Sequence, residues 1–155
     1  LRLALWPDAS AARDGLRQAM AQAQVVKISD EELRFLTGSD DPAAARRQRW
    51  HDRLELLVVT LGAAGCVYFT PDFDGVMVGF GVESVDTTGA GDGFVAGMLH
   101  GLIRDPSATS DQQRLREICR FACAVGALTT TERGAIPALP AYDRVRQFLN
   151  AELAT

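Results

Sequence analysis

The stretch Leu56-Leu57-Val58-Val59-Thr60-Leu61 carries no charge and one polar side chain in six residues. A strand with one wet face would alternate, and this one does not. It reads as a strand buried on both faces, the kind found in parallel sheets, which needs helices above and below it. The flanking sequence supplies them. Residues 8–24 place Ala11, Leu16, Ala19, Met20 and Ala23 at helical spacing behind Asp8 or Ser10 as a cap. Val25, Val26 and Ile28 form a short apolar strand. Residues 30–36 read as a short helix stopped by Gly38, and Pro42 opens another expected to reach about Leu54. Residues 66–69 and 76–85 read as a strand pair around Pro71-Asp72. A helix over 91–104 follows, then a loop at 106–110. The next helix, 111–130, sets Leu115, Ile118, Phe121, Ala122, Val125 and Leu128 on one face. Residues 134–140 form a loop with two prolines, and 141–153 a terminal helix with Val145, Phe148 and Leu149 inward. Helices alternating with apolar strands predict an α/β fold with a largely parallel sheet. Such sheets bind ligands beyond the carboxyl ends of their strands.

The rest of the composition narrows the partners. At 155 residues the chain fits one domain, and no repeat or linker divides it. A net charge of -4 advertises no surface for a polyanion, so nucleic acid is not an expected partner. Every apolar run is broken well short of a membrane span, and no signal peptide precedes residue 8. The first residue is Leu1 rather than Met, so the chain is expected to begin mid-protein. Cys66, Cys119 and Cys123 have no companion cluster of Cys or His for zinc. They read as buried small hydrophobes in a reducing cytosol. His51 and His100 stand alone and read as surface or packing residues.

The chemistry concentrates in Asp86-Thr87-Thr88-Gly89-Ala90-Gly91-Asp92-Gly93-Phe94. An apolar helical pattern begins at Phe94, so Gly89, Ala90 and Gly91 fall where a loop becomes a helix N-terminus. Backbone N–H groups there lack helical partners and the macrodipole adds positive charge, which suits phosphate. Small residues let a phosphate approach the backbone. Asp92 sets a carboxylate beside it, where a hydroxyl attacking a terminal phosphate must lose its proton. A plain Gly-rich turn before a capped helix explains the same residues without chemistry. Two other phosphate loops are excluded: no Gly-Lys pair exists for a Walker A motif, and Phe94 stands where a dinucleotide fingerprint needs glycine.

Residues 86–99 resemble, without a break, the C-terminal signature of the PfkB family of carbohydrate kinases, which have the ribokinase-like fold. The resemblance implies that Asp92 is the catalytic base and that the amides of Gly89, Ala90, Gly91 and Asp92 form the anion hole. Lys27-Ile28-Ser29-Asp30-Glu31-Glu32 resembles the family's K-x-N-x-x-E element, in which the matching Glu32 helps hold Mg²⁺ through water. Ser29 stands where that element has Asn, a replacement that points to fructokinase-like members. By itself, Glu32 is equally a capping-box residue. Thr60-Leu61-Gly62-Ala63-Ala64-Gly65 is similar to the family's T-x-G-x-x-G loop near the nucleotide, which assigns Lys27, Thr60, Gly62 and Gly65 to nucleotide binding. A plain tight turn explains this loop as well. Residues 121–140 resemble the segment flanking adenine, with Cys123 in the base pocket. Asp86 and Thr88 match positions that bind a monovalent cation such as K⁺ in some members.

The resemblance covers the chain but only the C-terminal half of the family's fold. The D-x-N strand and the Gly-Gly signature are absent, and the sugar-binding part and lid belong to the other half. It implies an ATP-dependent kinase acting on a primary hydroxyl of a sugar, fructose first, with a homodimer and a cytoplasmic location for the complete protein. A 2-keto-3-deoxygluconate kinase or ribokinase is the alternative within the family. A non-catalytic nucleotide-binding module is the alternative for this stretch taken alone.

Overall fold

β1 (Val25–Ser29) and β2 (Leu56–Thr60) pair in parallel, in register from Val25 opposite Leu56 to Ser29 opposite Thr60. Leu56, Leu57, Val58 and Val59 are all fully buried, as an apolar run covered on both faces requires. The computed structural model describes residues 2–49 and 51–153. Leu1 and Trp50, the latter within the expected helix to Leu54, lie outside the described residues.

α1 (Ala9–Met20) is capped by Asp8, whose carboxylate accepts the Ala11 N–H at 2.8 Å. It stops four residues short of the expected end. His51 Nε2–H donates to Met20 O at 2.8 Å and Arg53 to Ala21 O at 3.3 Å, while Gln24 O accepts the Glu55 and Leu56 amides. The chain after Met20 is thus already committed to a turn and to the sheet. His51, read as a packing residue, closes the end of a helix. α2 (Asp30–Thr37) and α3 (Pro42–Arg49) lie between the two strands in sequence. α3 also falls short of the expected Leu54. Its buried residues are Ala44 and Ala45, and three polar residues, His51, Asp52 and Arg53, follow in a turn. Leu54 N–H instead closes a turn onto His51 O at 2.9 Å.

β3 (Gly65–Phe69) and β4 (Asp74–Val78) complete a four-stranded sheet of order β1-β2-β3-β4. The connections before β3 and before β4 are four residues each, too short for a parallel crossover, so the sheet is mixed. Buried Thr70 holds the second turn. Its hydroxyl accepts the Phe73 N–H at 3.1 Å and donates to Phe73 O at 3.0 Å. The strand expected over 76–85 ends at Val78. Gly79 turns its N–H to Ala64 O, and Phe80 packs edge-on against Phe148, with ring centres 5.1 Å apart. Residues 82–85, expected to lead into the signature as a strand, are irregular.

The chain packs as two units: residues up to 60 together with 67–74, and residues 61–66 together with 75–153. The first holds α1–α3 and the parallel pair. The second is built on α4 (Ala90–Arg104), α5 (Gln112–Thr129) and α6 (Tyr142–Ala151). Asp111 caps α5 by accepting the Gln113 and Arg114 amides, and the expected loop before it is a 3₁₀ turn, Pro106–Ser110. α5 and α6 bury Ala124, Val125, Leu128, Val145 and Leu149 together, with Phe80, Phe121 and Phe148 against them. α4 meets α5 along Gly93, Gly97 and Gly101, four residues apart on one face. A Cβ at these positions would lie 2.6 Å from Thr129 Oγ1, 2.9 Å from Ala122 Cα and 2.6 Å from Ile118 Cγ1. The two helices approach so closely because those side chains are missing.

Candidate phosphate and nucleotide site

The second unit holds the signature. Gly89 is the residue before α4 and takes the left-handed conformation, φ +83° and ψ -4°. A left-handed residue leading into a right-handed helix turns consecutive amides toward one point, a concavity that binds anions. A side chain at Gly89 would also lie 2.8 Å from Ala135 Cα. The peptide N–H groups of Gly89, Gly91 and Asp92 have no acceptor among the described residues. The Ala90 amide, expected among the donors, donates to Thr87 O at 3.2 Å. Gly93 N–H closes the first turn onto Gly89 O at 2.8 Å. Asp92 is exposed in that first turn, with its carboxylate on the helix end carrying the open amides. The arrangement can receive a phosphate and offer a proton acceptor beside it.

Around this turn the chain is stitched to the end of α5. The Val85 and Asp86 amides both donate to Thr130 O, at 2.7 and 3.1 Å. Asp86 Oδ1 accepts the Thr88 N–H at 2.9 Å and Oδ2 the Gly134 N–H at 3.0 Å. The Gly134 bond first, and then the Thr88 amide, hold the Asp86 carboxyl well below the usual range, at about 2. Thr130 and Gly134 fall within the 121–140 segment that resembles the adenine-flanking element, and nothing in that resemblance ties them to the signature. A backbone carbonyl carries no sequence signal, although the lone Gly134 ahead of Ala-Ile-Pro was a cue.

Gly62 and Gly65 lie in this unit too, both at positive φ. Gly65 is demanded by packing, since its Cβ would meet Met77 O at 2.0 Å, whereas the space beside Gly62 is open. Cys123 is buried on α5 with its Sγ 3.8 Å from Cys66 Sγ. Contact with Cys119, then burial, pushes the Cys66 thiol up, and contact with Cys66, then burial, does the same for Cys123. These thiols stay protonated and serve as apolar filling, as the composition led us to expect.

Lys27, Glu32 and Thr60 belong to the first unit: Lys27 in the middle of β1, Glu32 in the first turn of α2, and Thr60 at the carboxyl end of β2. Thr60 Oγ1 donates to Ile28 O at 3.4 Å. Glu32 closes a capping box: its Oε2 accepts the Ser29 N–H at 2.9 Å, and Ser29 Oγ accepts the Glu32 N–H at 3.2 Å. Burial pushes the Glu32 carboxyl up, the Ser29 amide and the Lys27 charge pull it down, and the net direction is down. Ser29 thus does in this chain what a cap must do. Among the described residues, no three or more His, Cys, Asp or Glu side chains gather to hold a metal directly. No helix among them is long and apolar enough to cross a membrane.

Residues 1–142 match the model of the pfkB family carbohydrate kinases. The chain belongs to this family. It is 51% identical to fructokinase-2 of Solanum habrochaites over 143 residues, 90% of this chain and 43% of that protein. The ATP-bound fructokinase of Xylella fastidiosa superimposes with a TM-score of 0.89 at 33% identity, over 98% of this chain and 50% of that one. A fructokinase double mutant of Vibrio cholerae O395, solved with fructose, ADP and potassium ion, gives 0.86 at 36% identity, over 96% and 48%. The chain therefore spans about half the length of these pfkB relatives. The α/β, ribokinase-like architecture expected from the sequence is the one these structures have.

Proposed function

We propose that residues 1–155 form the C-terminal, nucleotide-binding part of an ATP-dependent fructokinase, with the sugar-binding part and lid supplied by sequence outside them. The observation that carries this reading is the left-handed Gly89 ahead of α4, which leaves three amides open beside Asp92. The fructokinase relatives favour fructose over 2-keto-3-deoxygluconate or ribose as the acceptor.

In this reading the Gly89, Gly91 and Asp92 amides receive the phosphoryl group in flight, and Asp92 accepts the proton of the attacking hydroxyl. Phosphoryl transfer asks little covalent chemistry of a protein, so alignment and charge stabilisation supply the rate. Lys27, Thr60, Gly62, Gly65 and the α5 segment around Cys123 serve the nucleotide. The half-buried carboxylate of Glu32 fits hydrated Mg²⁺, an ion that keeps most of its water and is held through one or two carboxylates. When bound, Mg²⁺ neutralises phosphate charge. Asp86 and Thr88 are the residues for a monovalent cation, and three free thiols suit a cytoplasmic setting. The complete protein is expected to be a homodimer.

The test joins this chain to the N-terminal half of a fructokinase relative and measures ADP release with fructose, ribose and 2-keto-3-deoxygluconate. The highest kcat/KM is expected with fructose, and no turnover with any of the three would end the reading. Gly91→Val in that protein should raise the KM for ATP and lower kcat together, because the added side chain crowds the phosphate. Unchanged kinetics would reduce the loop to a turn.

Residues 1–155 alone should bind ATP–Mg weakly, self-associate and phosphorylate none of the three sugars. An open sheet edge and apolar side chains such as Val76, Val78, Leu99 and Ile103 are exposed. Gel filtration and the same assay check this. A monodisperse monomer with ordinary turnover would show that this half carries the whole active site.

A further inference from the structure

Asp86 is not among the groups assigned above to the phosphoryl group, yet its carboxylate joins two segments 48 residues apart in sequence. One oxygen holds the Thr88 N–H, on the way into Gly89, and the other holds Gly134 N–H, the residue before Ala135. Ala135 is the residue against which Gly89 is packed without room for a methyl group. Any shift of the 134–135 peptide is therefore felt at Gly89, where the amide concavity begins. The far side of the same loop is held separately: Arg144 pairs with Glu132 and donates to Thr131 Oγ1 at 3.2 Å. The Thr130 carbonyl fixes the start of the signature through two amides.

We propose that Asp86 is a positioning residue, a strut whose two amide bonds set the orientation of the Gly89, Gly91 and Asp92 amides toward the transferred phosphoryl group. This rests on the kinase reading above. It adds to the monovalent-cation role proposed above, because the carboxylate acts here through the Thr88 and Gly134 N–H groups. An anion hole works by being aimed before the reaction, and a displacement of about 1 Å can cost on the order of a hundredfold.

The experiment compares Asp86, Asp86→Asn and Asp86→Ala in the complete kinase, with kinetics over a potassium series from none to saturation and amide hydrogen exchange of Thr88 and Gly134. Asp86→Ala should lose about 10- to 100-fold in kcat at every potassium concentration, with the KM for sugar changed less than about twofold. Its Thr88 and Gly134 amides should exchange at least about tenfold faster. Asp86→Asn keeps one acceptor oxygen and should fall between the two. A deficit that disappears when potassium is omitted would overturn the strut in favour of a cation ligand. Unchanged exchange would overturn it outright, as would a kcat matching the parent's. If the parent phosphorylates no sugar, the kinase reading fails; the strut then stands or falls on amide exchange and on a matching loss of affinity for inorganic phosphate.

Discussion

Asp92→Asn in the complete kinase should bind ATP as the parent does and lose most of its turnover. Asparagine keeps the size of the side chain and its place in the first turn of α4, so the open amides of Gly89, Gly91 and residue 92 should remain where they are. In the proposed mechanism, what is lost is the group that takes the proton of the attacking hydroxyl. General-base contributions are on the order of a hundred- to ten-thousandfold, or about 2.7 to 5.4 kcal/mol in the barrier. The competing explanation is loss of a favourable charge at a helix N-terminus. That is worth only about 0.3–1 kcal/mol at an exposed position, and it affects stability rather than the barrier. The two effects separate cleanly by size. Titration calorimetry with ATP and steady-state kinetics on one preparation make the comparison. Turnover within about threefold of the parent would remove Asp92 from the mechanism, and a parallel loss of ATP affinity would mean that the substitution had disturbed the anion hole.

The sequence carried the parts of this site whose physics is local. Gly89, Gly91 and Asp92 are legible because a helix start leaves unpartnered amides whatever the rest of the fold does. Ser29 and Glu32 are legible as a capping box from their spacing alone, and the structure forms it. The apolar run in β2 announced its own burial. What was not legible depends on contacts distant in sequence. The strand expected to reach Val85 stops at Val78 because Phe80 is drawn to Phe148 and because Val85 gives its amide to Thr130. The two overlong helices end where polar residues meet partners some 30 positions away, as His51 meets Met20. Ala90 donates to Thr87, a turn bond that no residue preference at that position announces. The apolar pattern of α4 says nothing about Gly93, Gly97 and Gly101. That all three face one neighbour follows only once α5 is set beside them.

That helix contact sets the largest expected loss of stability. Gly97→Val should destabilise the second unit by about 2–4 kcal/mol, the range of severe overpacking joined to a shifted helix. The new Cβ would sit 2.9 Å from Ala122 Cα, a backbone atom, and 3.0 Å from Val125 Cγ2. Ala122 is fully buried and Val125 nearly so, which leaves neither an open direction for retreat. Alanine makes the argument sharper. At an exposed helix position, Gly→Ala gains about 1 kcal/mol from propensity. At position 97 overpacking costs about 1–3 kcal/mol, so Gly97→Ala should end up neutral to destabilising instead of stabilising. Gly81→Ala is the control, since nothing lies within 4 Å of its Cβ position and its φ is ordinary. Urea denaturation of the four proteins reads the order, with Gly81→Ala equal to the parent and Gly97→Val lowest. The consequence should reach the chemistry as well. Gly97 lies about 9 Å along α4 from Gly91, at 1.5 Å per residue, on the same rigid element. A helix displaced from α5 carries the Gly91 and Asp92 amides with it, so Gly97→Val should lose turnover even below its unfolding midpoint. A Gly97→Val protein that unfolds with the parent would mean that α4 and α5 can separate at no cost, and the anion hole would then have no rigid support.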